Sequence, residues 1–235
     1  MDLISTWKHR FNILKRIGAK KWFSLLGTWN VRMQPQSLFC IKSGYHHAGN
    51  AASLNATGSK DEWQLSVYEY AASLAHTLSN PSIVDVGCGS GYKLINLLSQ
   101  YDTTGIEIEP AYSWLLKQYP NRKWMLFDTT DPSMLHADIV ICSDVIEHIK
   151  DPDDLMGFLK KMQFRYLILS TPERDAVAGK KDFGPPENTH HYREWNAAEF
   201  KQYVQQWFRV EKQLVFDDKS ITQVVVCSGQ ERFMM

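Results

Sequence analysis

The chain has 235 residues, with 26 Lys and Arg balancing 26 Asp and Glu. That length suffices for one sizeable core plus an extension. A formal net charge of zero gives no argument for a nucleic-acid partner, and no apolar run is long enough to span a membrane.

The first 34 residues depart from this balance. Lys8, Arg10, Lys15, Arg16, Lys20, Lys21 and Arg32 face Asp2 alone, a net charge of +6. Ile4, Trp7, Phe11, Leu14 and Ile17 recur at steps of three and four, the pattern of an amphipathic helix that Gly18 would end. Trp22, Phe23, Leu25 and Leu26 follow. Such a segment is a helix packed on the domain, a cap over the substrate, or a peripheral membrane contact. No apolar signal-peptide core is present, and residues 33–60 read as a Gly-, Ser- and Asn-rich loop, with His46 and His47 on the surface. The expected organisation is a basic helical extension and loop over 1–60 and a single domain over 61–235.

A helix is predicted over Asp61–Leu78, with Trp63, Val67, Tyr70, Ala71 and Leu74 on one face, stopped by Asn80-Pro81. Ile83-Val84-Asp85-Val86 then reads as a buried strand that breaks into Gly87-Cys88-Gly89-Ser90-Gly91. Glycine lets the backbone turn sharply and come close to a ligand. The next helix, Tyr92–Tyr101, offers unpaired N–H groups to an anion. A second strand, Thr104–Ile108, carries Glu107, 22 residues after Asp85, about where a ribose-binding carboxylate belongs. Pro110 fits the first turn of another helix.

Further strands are predicted at Lys123–Phe127, Ala137–Cys142 and Tyr166–Ser170, each running into polar residues. This is the ligand-binding edge of an open α/β sheet. A polar stretch over 175–188 reads as a lid or substrate loop. Asn196 reads as the N-cap of a helix over Ala197–Trp207, and Arg209–Phe216 with Thr222–Ser228 as a closing antiparallel hairpin. Cys40, Cys88, Cys142 and Cys227 have no metal-ligand spacing and read as free buried thiols of a cytoplasmic protein.

Over residues 82–228 the chain resembles the class I S-adenosylmethionine (SAM)-dependent methyltransferases. The matching pieces occur in family order: Val84-Asp85-Val86-Gly87-Cys88-Gly89-Ser90-Gly91, Gly105-Ile106-Glu107, Asp128, Ala137-Asp138-Ile139-Val140, Asp144-Val145-Ile146-Glu147-His148 and Leu167-Ile168-Leu169-Ser170-Thr171-Pro172. A dehydrogenase more often places its third glycine one residue later. The resemblance implies a Rossmann-like, doubly wound, seven-stranded α/β sheet, mostly parallel with an antiparallel C-terminal hairpin, and SAM as cofactor. It places Asp85, Gly87, Cys88 and Gly89 against the methionine part. Asp85 either anchors the turn or meets the amino group. Glu107 would hold the ribose hydroxyls, Ile108 would pack on the adenine, Asp128 with Thr129 would meet the adenine amino group, and Ser143 would line the cofactor through its backbone. Lys93 either reaches the methionine carboxylate or is solvated. Trp63-Gln64-x-x-Val67-Tyr68 resembles a lead-in of glycan-linked methyltransferases, so Gln64 either touches the cofactor or packs structurally.

On a helix, residues 144, 147 and 148 would share one face. The segment resembles the Glu-x-x-Glu-His motif of small-RNA 2′-O-methyltransferases and of ubiquinone-biosynthesis O-methyltransferases, with Asp144 replacing the first Glu. His191, before Tyr192-Arg193-Glu194-Trp195, matches the downstream ligand. Asp144, Glu147, His148 and His191 are therefore candidate ligands of a divalent metal. Alternatively His148 or His191 is the general base, or a structural histidine. The expected activity is O-methylation of a small molecule such as a sugar or glycan precursor. A quinone or phenol O-methyltransferase, a metal-dependent RNA 2′-O-methyltransferase and a non-catalytic SAM-binding scaffold are the alternatives.

Overall fold

A computed structural model describes residues 39–42, 44–47, 63–217 and 220–229. The basic amphipathic segment of residues 1–34, with its expected membrane or cap role, lies outside them. The described residues form one seven-stranded sheet. Its strands are β1 (Ser82–Val86), β2 (Asp102–Glu107), β3 (Lys123–Leu126), β4 (His136–Ser143), β5 (Gln163–Pro172), β6 (Arg209–Asp217) and β7 (Ile221–Ser228). The strand order is β3-β2-β1-β4-β5-β7-β6. Pairs among the first five strands are parallel; β7 joins β5 and β6 antiparallel. The order reverses between β1 and β4, which makes the crevice outside their carboxyl ends the natural ligand site.

Both sheet faces are covered, so the central strands are apolar on both sides. Ile83, Ile139 and Ile141 pack on one face against α1 (Leu65–His76), through Val67, Tyr68, Ala71 and Ala75. Val84, Val86, Val140 and Cys142 point the other way. There they join Leu155, Met156 and Leu159 of α4 (Pro152–Lys161), and Phe200, Tyr203 and Val204 of α6 (Ala197–Val204). The remaining helices are α2 (Tyr92–Asn96), α3 (Ala111–Gln118) and the single turn α5 (Arg174–Val177).

Several expected boundaries shift. The α1 face is Val67, Tyr68, Ala71 and Ala75, whereas Trp63 is 51% exposed and Tyr70 and Leu74 are half-buried. Gln64 is left-handed at φ 56°, so Trp63 precedes the first helical turn and cannot share its face. Helix α2 stops at Asn96 rather than Tyr101; the Asn96 side chain donates to the Tyr92 carbonyl and competes with the backbone. Helix α6 ends at Val204, not Trp207. The strands β4 and β5 are longer than their apolar cores. Residues expected in a loop before the domain pack within it: Cys40 and Tyr45 are buried, and the Trp195 indole donates to the Phe39 carbonyl. His46 is exposed and His47 half-buried. All four cysteines are free and buried.

Asn196 caps α6 reciprocally. Its side chain accepts from the Glu199 N–H, and Glu199 accepts from the Asn196 N–H. Asn196→Ala should lower stability by about 1 kcal/mol, read as a reduced urea midpoint with an unchanged m-value. An unaltered midpoint would show that tertiary packing alone holds the helix.

Candidate active site

A cavity of about 790 Å³ opens at the carboxyl ends of β1, β2 and β4. Its floor begins at the turn after β1, where Gly87 and Gly89 have φ of 80° and 58°, values that disfavour other residues. A Cβ on Gly87 would collide with the Val145 side chain, so the turn after β1 and the segment after β4 can touch only through a glycine. Gly105 serves the neighbouring layer, because a Cβ there would lie 2.5 Å from Trp124 and 2.7 Å from Cys88 Sγ.

Gly87, Gly89, Glu107 and Ile108 line the cavity. Glu107 Oε2 accepts from the Gly89 N–H at 2.7 Å and Oε1 from the Ile108 N–H at 2.8 Å. Burial raises the Glu107 pKa, and these two N–H groups pull it back down. Each oxygen retains acceptor capacity for a ribose hydroxyl. Ile108 is 46% exposed and offers apolar surface beside it.

The other expected cofactor residues do not reach the cavity with their side chains. Asp85 is buried and accepts the hydroxyl of Tyr68, on α1, at 2.9 Å. The Cys88 thiol packs in the core with Leu94, Leu115 and Trp124, where burial pushes its pKa well up. Ser143 shares a hydrogen bond with Ser170. Asp128 and Thr129 are exposed on the 3-10 turn Phe127–Thr129, next to Phe127, which does line the cavity. Lys93 is buried, not solvated, and donates to Gln64 Oε1 at 3.0 Å.

The expected helix over 144–148 does not form. Asp144 is left-handed at φ 51°, and only Ile146–His148 makes a 3-10 turn. Asp144 lines the cavity, but its carboxylate is engaged elsewhere, accepting from Ser170 Oγ at 2.6 Å and Gln64 Nε2 at 2.9 Å. The aspartate thus stays outside the expected ligand set. Gln64 serves as a bridge from Lys93 to Asp144.

Glu147, His148 and His191 do come together, with ligand atoms within 4.8 Å of one another. Glu147 is fully buried. Thr171 donates to its Oε2 at 3.1 Å, while Oε1 has no hydrogen-bond partner. Burial, and then the neighbouring Asp144 charge, hold this carboxyl well above its ordinary value. His148 Nδ1 lies 3.0 Å from the His190 carbonyl, so Nδ1 carries the proton and Nε2 keeps its lone pair. Burial, with His191 adding, lowers the His148 pKa to about 4. The two imidazoles meet edge-to-face at 4.8 Å. His191 Nδ1 lies 2.6 Å from Glu194 Oε1, and its Nε2 is 2.9 Å from the Asn188 amide. A buried carboxylate oxygen without a donor, beside the His148 Nε2 lone pair, fits a divalent cation, which His191 Nε2 would join on giving up the Asn188 amide.

The opposite wall was not anticipated. Asp154, Gly157, Phe158 and Lys161 of α4 line the cavity, with Asp153, Pro132 and Tyr192. The signal was present: these four stand at i, i+3, i+4 and i+7, opposite the core residues Leu155, Met156 and Leu159.

A family profile described as "Methyltransferase domain" matches residues 63–213. The chain is a class I SAM-dependent methyltransferase. No curated protein sequence matches it. Among solved structures, this methyltransferase is similar to magnesium protoporphyrin IX methyltransferase from Synechocystis PCC 6803 with bound SAH. That pair has 18% identity and a TM-score of 0.53 over 71% of this chain and 83% of that one. It is also similar to the small RNA methyltransferase HEN1, at 22% identity and TM-score 0.55, over 78% of this chain and 27% of that one. The methyltransferase domain of a bacterial Hen1 gives 22% identity and 0.52, over 70% and 98%. At these identities the likeness speaks to fold alone.

SAM is the methyl donor in this family, and the cavity edge presents the Glu107 carboxylate, the group expected to meet its ribose. Glu107→Ala should weaken SAM binding by roughly 10- to 100-fold, from the loss of charge-assisted hydrogen bonds of about 1.5–3 kcal/mol. Calorimetric titration with an unchanged Kd would rule out the ribose assignment.

Proposed function

We propose that this methyltransferase transfers a methyl group to a hydroxyl oxygen of a small acceptor of the sugar or glycan-precursor class, beside Glu147, His148 and His191. The carrying observation is that trio, with an unpartnered buried oxygen on Glu147 and with His148 on the cavity wall. Bound SAM supplies an electrophilic methyl sulfonium; the chain's part is alignment and removal of the acceptor proton.

His148 is neutral at pH 7 and has its Nε2 lone pair available to take that proton. Glu194 fixes the orientation of the His191 ring. In the alternative, with His148 Nε2 committed as a ligand and not as the base, Glu147, His148 and His191 would hold a divalent cation, which when bound would favour the deprotonated acceptor oxygen. One carboxylate and two imidazoles suit a transition metal or zinc better than magnesium.

The cavity's charge supports a small acceptor over RNA. Among the described residues, Glu107, Asp144, Asp153 and Asp154 line it against Lys161 as the one Lys or Arg. A polyanion needs the opposite balance.

His148→Ala should reduce kcat by about 100-fold or more while leaving the Kd for SAM unchanged. The measurement is transfer of labelled methyl from SAM to a panel of sugars, phenols and an RNA oligonucleotide. Labelling of the RNA, or of phenols alone, would overturn the sugar reading; SAM binding without transfer to any acceptor would favour the scaffold.

The metal makes a separate, pH-dependent prediction. The raised Glu147 pKa gives a stability contribution that is complete below the ordinary value of 4.5 and lost as pH rises through the raised one. A cation removes that loss. Manganese or zinc should therefore raise the melting temperature more at pH 8 than at pH 5, and Glu147→Gln should abolish the difference. Full turnover in excess chelator would leave His148 acting alone as general base.

A further inference from the structure

Helix α4 carries a glycine that its own fold does not require. Gly157 stands in the helix middle, is absent from the left-handed glycines, and has nothing among the described residues within 4 Å of the position its Cβ would take. Mid-helix glycine is destabilising relative to alanine. Yet Gly157 lines the cavity, next to Phe158, and between Asp154 and Lys161 on the same helix face. Phe158 stacks on Phe127 across the cavity wall, with ring centroids 4.6 Å apart and planes at 30°.

We infer that the α4 face of Asp154, Gly157, Phe158 and Lys161 is the acceptor-binding wall, and that Gly157 is the specificity-determining position that admits a hydroxylated ring. The inference rests on the O-methylation reading of the same cavity. The missing side chain leaves a shallow seat, and Phe158 supplies an apolar face for ring C–H groups beside it. Along the axis, Asp154 lies about 4.5 Å from the seat in one direction and Lys161 about 6 Å in the other, from a rise of about 1.5 Å per residue. A carboxylate accepts from two hydroxyls, and an ammonium donates to a ring or hydroxyl oxygen. An apolar patch between an anionic acceptor and a cationic donor, both exposed and free to adapt, is chemistry for a neutral polyol, not for a phosphate chain.

The test uses saturation-transfer NMR on the full chain saturated with SAH, with glucose, mannose and N-acetylglucosamine as probes. The intact protein should transfer saturation to at least one sugar. Gly157→Leu, which fills the seat, and Phe158→Ala should each reduce that signal at least fivefold, with the SAH Kd within twofold. Gly157→Ala should raise the melting temperature through helix propensity and still weaken sugar binding, a split that a merely structural glycine would not give. Absence of any sugar signal in the intact protein, or a signal indifferent to Gly157→Leu, overturns the proposal. So does a tenfold loss of SAH affinity in Gly157→Leu, which would assign the face to the cofactor. Sugars that bind at this wall but accept no methyl group would overturn the O-methylation reading and leave the wall standing.

Discussion

The contact between Gly87 and Val145 governs the site. The turns after β1 and β4 lie on opposite sides of the point where strand order reverses, and they touch because residue 87 has no side chain. That contact fixes the depth of the crevice. It also fixes where the chain goes next: Val145 leads directly into the 3-10 turn that presents Glu147 and His148. On the other side Gly87 and Cys88 bond to the Ile106 carbonyl, which holds the first glycine turn against the strand that ends at Glu107. One absent methyl group thus sets the spacing between the Glu107 carboxylate and the His148 imidazole.

Three carboxylates at or beside the cavity, the half-buried Glu107 and Asp144 and the buried Glu147, differ in how well each is satisfied. Glu107 has two backbone N–H donors, and Asp144 has a serine hydroxyl and a glutamine amide. In both, these hydrogen bonds favour the charged form and offset part of the rise in pKa that burial causes. Glu147 has a single threonine donor and a like charge nearby. Of these three carboxylates, the one with an unpartnered buried oxygen is Glu147, at Oε1. A proton or a cation would relieve it.

The strands and the glycine turn were legible because continuous apolar runs and Asp-x-Gly-x-Gly-x-Gly depend on local chemistry. The seven-stranded sheet follows from them and from the terminal hairpin. What failed was the assumption of helical phase. Asp144, Glu147 and His148 share a face only if the backbone is helical throughout, and the left-handed Asp144 breaks that phase at its first residue. Its carboxylate then finds Ser170, a partner 26 residues away that spacing cannot reveal. Trp63 was misplaced for the same reason, by a left-handed Gln64. The cavity-lining side of α4 is readable as a period in the sequence, but no helix was expected over residues 152–161.

His191 reaches the site by a different physical route from Glu147 and His148. No strand end delivers it; packing of distant segments does. The Tyr45 hydroxyl bonds to Asp182 and reaches Glu194, the His47 N–H donates to the Tyr192 carbonyl, and the Tyr192 N–H donates to the Glu147 carbonyl. Arg193 donates to the carbonyls of Ile149 and Lys150, directly after the 3-10 turn. The segment of His190 to Glu194 is thereby tied on one side to residues 44–47 and on the other to the turn bearing His148. On the proposed reading the sheet edge would hold the cofactor, and this tied segment together with α4 would meet the acceptor, so that the acceptor's contacts would lie on loops and one helix face, apart from the strands.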